Sequence, residues 1–142
     1  MNTHVIFVAP FCMETTLRFV RGALSLAGIN LSLISQDGAE KIPAGLRAGL
    51  AAHWQVQNAL DPEQIVEATR ALETRLGTAE KLIGALEQLQ VPLAKAREIL
   101  GVDGLNAEGA RNFRDKARMK EVLGNAGLPC ASHVLAESPQ QA

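Results

Sequence analysis

"HVIFVA", residues 4–9, is an unbroken apolar run, rich in β-branched side chains, that ends at Pro10. A strand buried on both faces reads this way, and such strands belong to parallel sheets covered by helices on either side. Leu17, Val20, Leu24 and Ala27 then recur at helical spacing, with Gly28 placed to close the helix. "INLSLIS" (29–35) reads as a second strand. Strand, helix and strand in such close succession form a βαβ unit, which requires a right-handed crossover and a parallel pair. No other feature narrows the fold as much.

The alternation continues. "KIPAGLRAGLAAH" (41–53) predicts a short helix weakened by Gly45 and Gly49, and "WQVQNA" (54–59) a third strand. Asp61-Pro62-Glu63-Gln64 is a helix start, with Asp61 as N-cap, Pro62 at the first helical position and Gln64 three residues on. Ile65, Thr69, Leu72 and Leu76 keep one face inward as far as Gly77. "KLIGAL" (81–86) predicts a fourth strand, and "PLAKAREIL" (92–100) a helix entered by proline and stopped by Gly101. An α/β layer fold with a parallel sheet is the economical result. Beyond "GVDGLNAEGA" the pattern changes. Asn106 can cap a helix through "AEGARNF", and a second runs from about Asp115 to Ala126, with Gly127 and Leu128 set for a Schellman close. "CASHVLA" (130–136) predicts one more strand, and "ESPQQA" a polar tail. Residues 1–104 and 105–142 therefore read as two units.

Composition removes several function classes. A net charge of −1 gives no field favouring nucleic acid or an anionic membrane, and four Phe, one Trp and no Tyr leave little to stack on bases. The N-terminal segment has no basic region, and its apolar run is too short for a span. Cys12 and Cys130 stand far apart without a CxxC pattern, which suits a reduced interior. The expected setting is the cytoplasm, with neither nucleic acid nor membrane as a partner.

Candidate chemistry is sparse. "APFCMETTLRF" lacks the G-x-G-x-x-G turn of dinucleotide folds, and no P-loop occurs. The first helix still begins at the carboxyl end of a parallel strand, where open α/β sheets place ligands, so Thr15 and Thr16 are capping or anion-contacting residues. Glu87, after the fourth predicted strand, is solvated surface or a binding residue at that same end. Cys12 has no histidine near it in sequence and reads as a structural thiol. His4, His53 and His133 are scattered and read as structural, leaving no metal set and no catalytic acid, base or nucleophile. Glu14 and Arg18 form an i,i+4 pair.

The cations at "RNFRDKARMK" are harder to dismiss. Arg114, Lys116 and Arg118 sit around the start of the second late helix, where the macrodipole favours Asp115 and disfavours them. A bound anion would account for the cluster; an ordinary charged helix face is the alternative.

"FRDKARMKEVLGNAGLP" resembles the segment that opens the nucleotide-binding unit of the ATP-grasp superfamily, where a D-K or D-R pair begins a helix ending in A-G-[IVL]-P before a strand. "LIGALEQLQVPLAKAREILGVDGLNAEGARNFRDKARMK" is most similar to its carboxylate–amine ligase members, in the branch that includes biotin carboxylase. In motif the resemblance covers about residues 80–135. It implies a Rossmann-like, three-layer pre-ATP-grasp domain over 1–104 and the first elements of an ATP-grasp domain over 105–142. It also implies ATP and Mg²⁺ as cofactors, a small carboxylate and an amine as substrates, and activation of the carboxylate as an acyl phosphate that the amine attacks. By position the phosphate-contacting base falls on Lys116, with Arg114 and Arg118 as neighbours. The family's second phosphate lysine, adenine-contacting hinge and metal ligands are not matched here, so the resemblance implies an N-terminal fragment that is inactive by itself. Apolar surface near Val134 and Leu135 would favour a homo-oligomer. The rival is a non-catalytic, receiver-like or regulatory α/β domain, but receiver domains use acidic clusters at strand ends, and the first two strands supply only Asp37.

Overall fold

The computed structural model describes residues 2–134, 136 and 138. Four strands, β1 (Thr3–Val8), β2 (Ile29–Ser35), β3 (Ala52–Gln55) and β4 (Lys81–Ile83), form one parallel sheet in the order β3-β2-β1-β4. The chain moves outward from β1 to β2 to β3, then crosses back to place β4 on the far side of β1. Right-handed crossovers in opposite directions put helices on opposite faces. Accordingly α1 (Glu14–Leu24) and α2 (Ala44–Gly49) cover one face, where Leu17, Val20 and Leu46 meet Val5, Phe7, Leu31 and Leu33. Helices α3 (Pro62–Leu76) and α4 (Gln90–Leu100) cover the other, where Ile65, Leu72 and Leu93 meet Ile6, Val8, Ile34 and Leu82. The fold is α/β with the three Rossmann-like layers expected from the alternating pattern.

Helix starts follow the local code. Asp61 caps α3 through a bond from the Glu63 N–H at 3.0 Å, with Pro62 in the first turn. Gln64 departs from the simple capping box: its Oε1 accepts from the Gln57 and Asn58 N–H groups, while its Nε2 donates to Asp61 Oδ2. It thereby ties the β3–α3 turn as well as the cap.

Several element bounds differ from expectation. The third strand is Ala52–Gln55 rather than 54–59, because its register with β2 runs from Ser32–Ala52 to Ser35–Gln55 and ends where β2 ends. The predicted helix over 41–53 shrinks to Ala44–Gly49 behind a single 3-10 turn, Ala39–Lys41. The fourth strand stops at Ile83, and a 3-10 turn at Glu87–Leu89 leads into α4 two residues before Pro92. Residues 130–134, predicted as part of a strand, adopt no strand; Leu135, in the same predicted segment, lies outside the described residues. A strand exists only where a ladder is made, and among the described residues the sheet takes up no segment beyond its four strands.

After α4 the chain forms α5 (Ala107–Arg114) and α6 (Lys116–Asn125). Helix α5 seats Ala107 and Ala110 on Ala94 and Val91 of α4. Helix α6 ends as its sequence predicts: Gly127 is left-handed at φ 71° and the Leu128 N–H donates to the Leu123 carbonyl at 2.9 Å, the long bond of a Schellman close. No helix among the described residues is long and apolar enough to cross a membrane.

Candidate functional site

Asp115 makes the corner that defines the site. Its backbone is extended (φ −84°, ψ 107°), so α5 ends and α6 begins on a single residue. Its Oδ1 accepts from the Ala117 and Arg118 N–H groups at 3.0 and 3.1 Å. The cation cluster is therefore divided between two helices. Arg114 is the last residue of α5, where the dipole favours a positive charge, and not part of the first turn of α6 as its sequence position suggested. Arg118 is occupied locally: its Nε donates to Asn112 Oδ1 and its Nη2 lies 3.6 Å from Glu108 Oε1. Lys116 is the first residue of α6, exposed at the unfavourable end of the dipole and without an ion-pair partner among the described residues.

Lys116 and Arg114 line a groove of about 310 Å³ with Glu87, Gln90, Leu105, Ala110 and Phe113. A second groove, about 430 Å³, runs along the other side of Arg114 between Val91, Arg111, Asp115 and Arg118. The structure thus brings together Glu87, Arg114 and Lys116, three residues singled out for separate reasons. Glu87 comes from the 3-10 turn beyond β4, at the carboxyl end of the sheet, and the cations come from the α5–α6 corner. Phe113, 69% exposed, adds an apolar wall. Two cations beside an apolar surface can hold a phosphate-bearing ligand, and a carboxylate a few residues off can face an ammonium group.

Thr15 and Thr16 line neither groove. They occupy the first turn of α1, whose N-cap is Met13 and carries no side-chain cap bond. Thr16 is buried and its hydroxyl finds no partner among the described residues, while Thr15 is exposed. Neither caps the helix, because capping falls to the residue before the first turn and that residue is an apolar methionine. Glu14 pairs with Arg21, one helical turn beyond the Arg18 expected, through two bonds of 2.6 and 3.1 Å.

A polar network that sequence spacing could not reveal lies at the carboxyl ends of β2 and β3. Ser35 Oγ stands 2.7 Å from His53 Nε2 and 2.7 Å from the Asp37 carbonyl. Asp37 Oδ2 accepts from the Cys12 N–H at 2.8 Å and Oδ1 holds Lys41 at 2.6 Å. The Lys41 bond and then the Cys12 N–H keep the Asp37 carboxyl below the usual carboxylate range. Burial pushes the Cys12 thiol up and the His53 imidazolium down. Burial lowers the thiolate fraction of Cys12, which packs against the core on the α1 side of the sheet. Asp37, the one acid available to a receiver-like reading, is committed to this network. At the opposite end of β1, buried His4 donates from Nδ1 to the Gly77 carbonyl at 2.8 Å, which leaves Nε2 to accept from Ser32 Oγ at 3.0 Å. Among the described residues no group of three or more His, Cys, Asp or Glu side chains could hold a metal ion.

No known family model matches the chain, and no curated protein matches it either. Solved structures do. An L-amino acid ligase from Bacillus licheniformis superposes with a TM-score of 0.69 at 18% identity, over 90% of this chain and 31% of that one. A phosphoribosylglycinamide synthetase from Anaerococcus prevotii superposes with a TM-score of 0.66 at 16% identity, over 99% of this chain and 33% of that one. Both are ATP-grasp enzymes. At these identities the likeness is one of fold, and the chain spans about a third of the length of either structure.

Proposed function

We propose that this chain supplies the N-terminal, nucleotide-facing part of an ATP-dependent carboxylate–amine ligase of the ATP-grasp type. On this reading residues 1–104 are the pre-ATP-grasp domain and residues 105–142 the first elements of the nucleotide-binding unit. The observation that carries it is Lys116: an ammonium without an ion-pair partner among the described residues, at the start of α6, in a groove with Arg114 and one residue past an aspartate cap. Local energetics explains Arg114 and Arg118 but leaves Lys116 unrewarded. Fold likeness to two ATP-grasp enzymes and the D-K pair at residues 115–116 support the same reading.

The groove fits a phosphate group. Lys116 offers a mobile point charge and Arg114 a forked guanidinium, while Phe113 and Leu105 give an apolar flank. ATP, when bound, supplies the phosphoryl group that activates a carboxylate. What this chain does is hold and orient the phosphates, with Glu87 facing the amine and Thr15 and Thr16 near the substrate end of the sheet. Mg²⁺ does not fit in the same way: Glu87 is a single carboxylate, and no ligand set accompanies it among the described residues. No step is assigned to a metal held by this chain, and the chain by itself is expected to turn over no ATP.

The test is a titration of the isotopically labelled chain with ATP, followed by amide shifts. Shifts should concentrate at residues 87–90 and 111–118, and Lys116→Ala should abolish most of the response. In a ligase that contains this chain, Lys116→Ala should change the ATP KM or kcat by roughly ten- to hundredfold. Lys116→Arg should be only partly tolerated, and Lys120→Ala nearly silent. Equal ATP responses from wild type and Lys116→Ala would return the cluster to an ordinary charged helix face.

A further inference from the structure

The groove is assembled from two sides that the linker over residues 101–106 joins, and one side chain spans them. Arg97, half-buried on α4, donates from Nε to the Leu82 carbonyl of β4 at 2.8 Å and from Nη1 to the Leu105 carbonyl at 3.2 Å. The next residue, Glu98, accepts from the Ala107 N–H at 2.8 Å, at the first residue of α5. The linker also turns back on α4 through a bond from the Val102 N–H to the Arg97 carbonyl at 3.0 Å. Gly104 makes room for the fork: a Cβ there would sit 2.9 Å from Arg97 Cδ and 3.1 Å from its Nε. The apolar contact between α5 and α4 is small, Ala107 and Ala110 against Ala94 and Val91, and such short side chains offer little to fix its orientation.

Arg97 has no carboxylate partner among the described residues, so its charge is half-buried against carbonyl groups alone. Burial is costly for a charge that an apolar or smaller side chain would not carry. What a guanidinium adds is geometry: two donors held at a fixed separation by a planar group. We infer that Arg97, with Glu98 beside it, is a positioning residue whose fork sets the distance between β4 and the start of α5. It thereby places Arg114 and Lys116 opposite Glu87. The structural part of this inference stands on the hydrogen bonds alone; its functional consequence rests on the phosphate reading of the groove.

Two measurements separate those parts. In a background with Cys12→Ser and Cys130→Ser, spin labels at Arg70→Cys on α3 and Glu121→Cys on α6 report the distance from sheet layer to arm. Arg97→Ala should broaden or displace that distance distribution, with amide exchange in β1 and β2 unchanged. Gly104→Ala, which leaves the arginine but takes its space, should do the same. Arg97→Lys, able to keep one contact, should lie between. An unchanged distribution in folded Arg97→Ala overturns the inference, as does loss of sheet protection in both Arg97→Ala and Gly104→Ala, which would mean a plain role in stability. The second measurement is the ATP titration of the same variants. Wild type should respond and Arg97→Ala should respond severalfold more weakly, with Arg97→Lys restoring part. If wild type ignores ATP while the distances still move, the nucleotide reading fails and the positioning role stands. If wild type binds and Arg97→Ala binds equally well, the claim that Arg97 places the groove's cations for a nucleotide fails.

Discussion

Replacing Asp115 with alanine should unravel one helix and leave the sheet untouched. Helix α6 has ten residues, none of them buried, and its packing partner is α5. Isolated helices of that length are marginal in water, so α6 depends on its ends more than a core helix does. Asp115 supplies the N-terminal end, satisfying the Ala117 and Arg118 N–H groups through one carboxylate oxygen. Loss of an N-cap aspartate costs about 1 kcal/mol, and the lost dipole interaction adds a few tenths. At about 1.4 kcal/mol per decade, local opening of α6 should rise roughly five- to tenfold. Amide exchange read by NMR is the assay. Protection at Met119–Leu123 should fall by that factor, while β1 amides, in the centre of the core, keep theirs. The series has an internal order: Asp115→Asn keeps a cap oxygen and should lose least, Asp115→Gly a few tenths of a kcal/mol, and Asp115→Ala most. Unchanged protection in α6, or an equal loss in β1, would refute the view of α6 as a locally stabilised arm.

Burial holds the His53 pKa below its ordinary value, so between the folded value and about 6.5 the unfolded chain binds more protons. Stability from this group is complete above pH ~6.5 and falls as pH drops through the folded value; denaturant melts from pH 7.5 to 5 should show that slope, and His53→Gln should flatten it. The two thiols should separate in a timed alkylation at neutral pH: exposed Cys130 reacts first, and Cys12, half-buried with a raised pKa, lags until the protein unfolds. His4→Leu should cost about 1–3 kcal/mol in urea unfolding, because it strands the buried Ser32 hydroxyl and removes the tie to the end of α3. A cost near zero would mean that Ser32 finds another partner.

The chain's own sequence determined what can be settled within a few residues. The Asp61-Pro62 start and the Gly127 stop are read correctly because each reflects bonds closed locally, a cap with a fixed φ and a left-handed glycine, while the runs at 4–9 and 29–35 are legible because a strand buried on both faces must be apolar along its whole length. The D-K pair was visible for the same reason, since Asp115 caps the helix that Lys116 begins. Tertiary structure decided what depends on distant partners. The third strand sits at 52–55 because β2 offers it a ladder there, whereas residues 130–134 join none of the four strands. Glu14 selects Arg21 over Arg18, and Ser35 meets His53, through helix facing and strand register that no single segment contains. Even the candidate site divides this way. That cations gather near residue 115 is a fact of sequence. That Arg118 pairs with Glu108, that Arg114 ends a different helix, and that Arg114 and Lys116 share a groove with Glu87 follow from a backbone that bends at Asp115 and from the seat of α5 on α4.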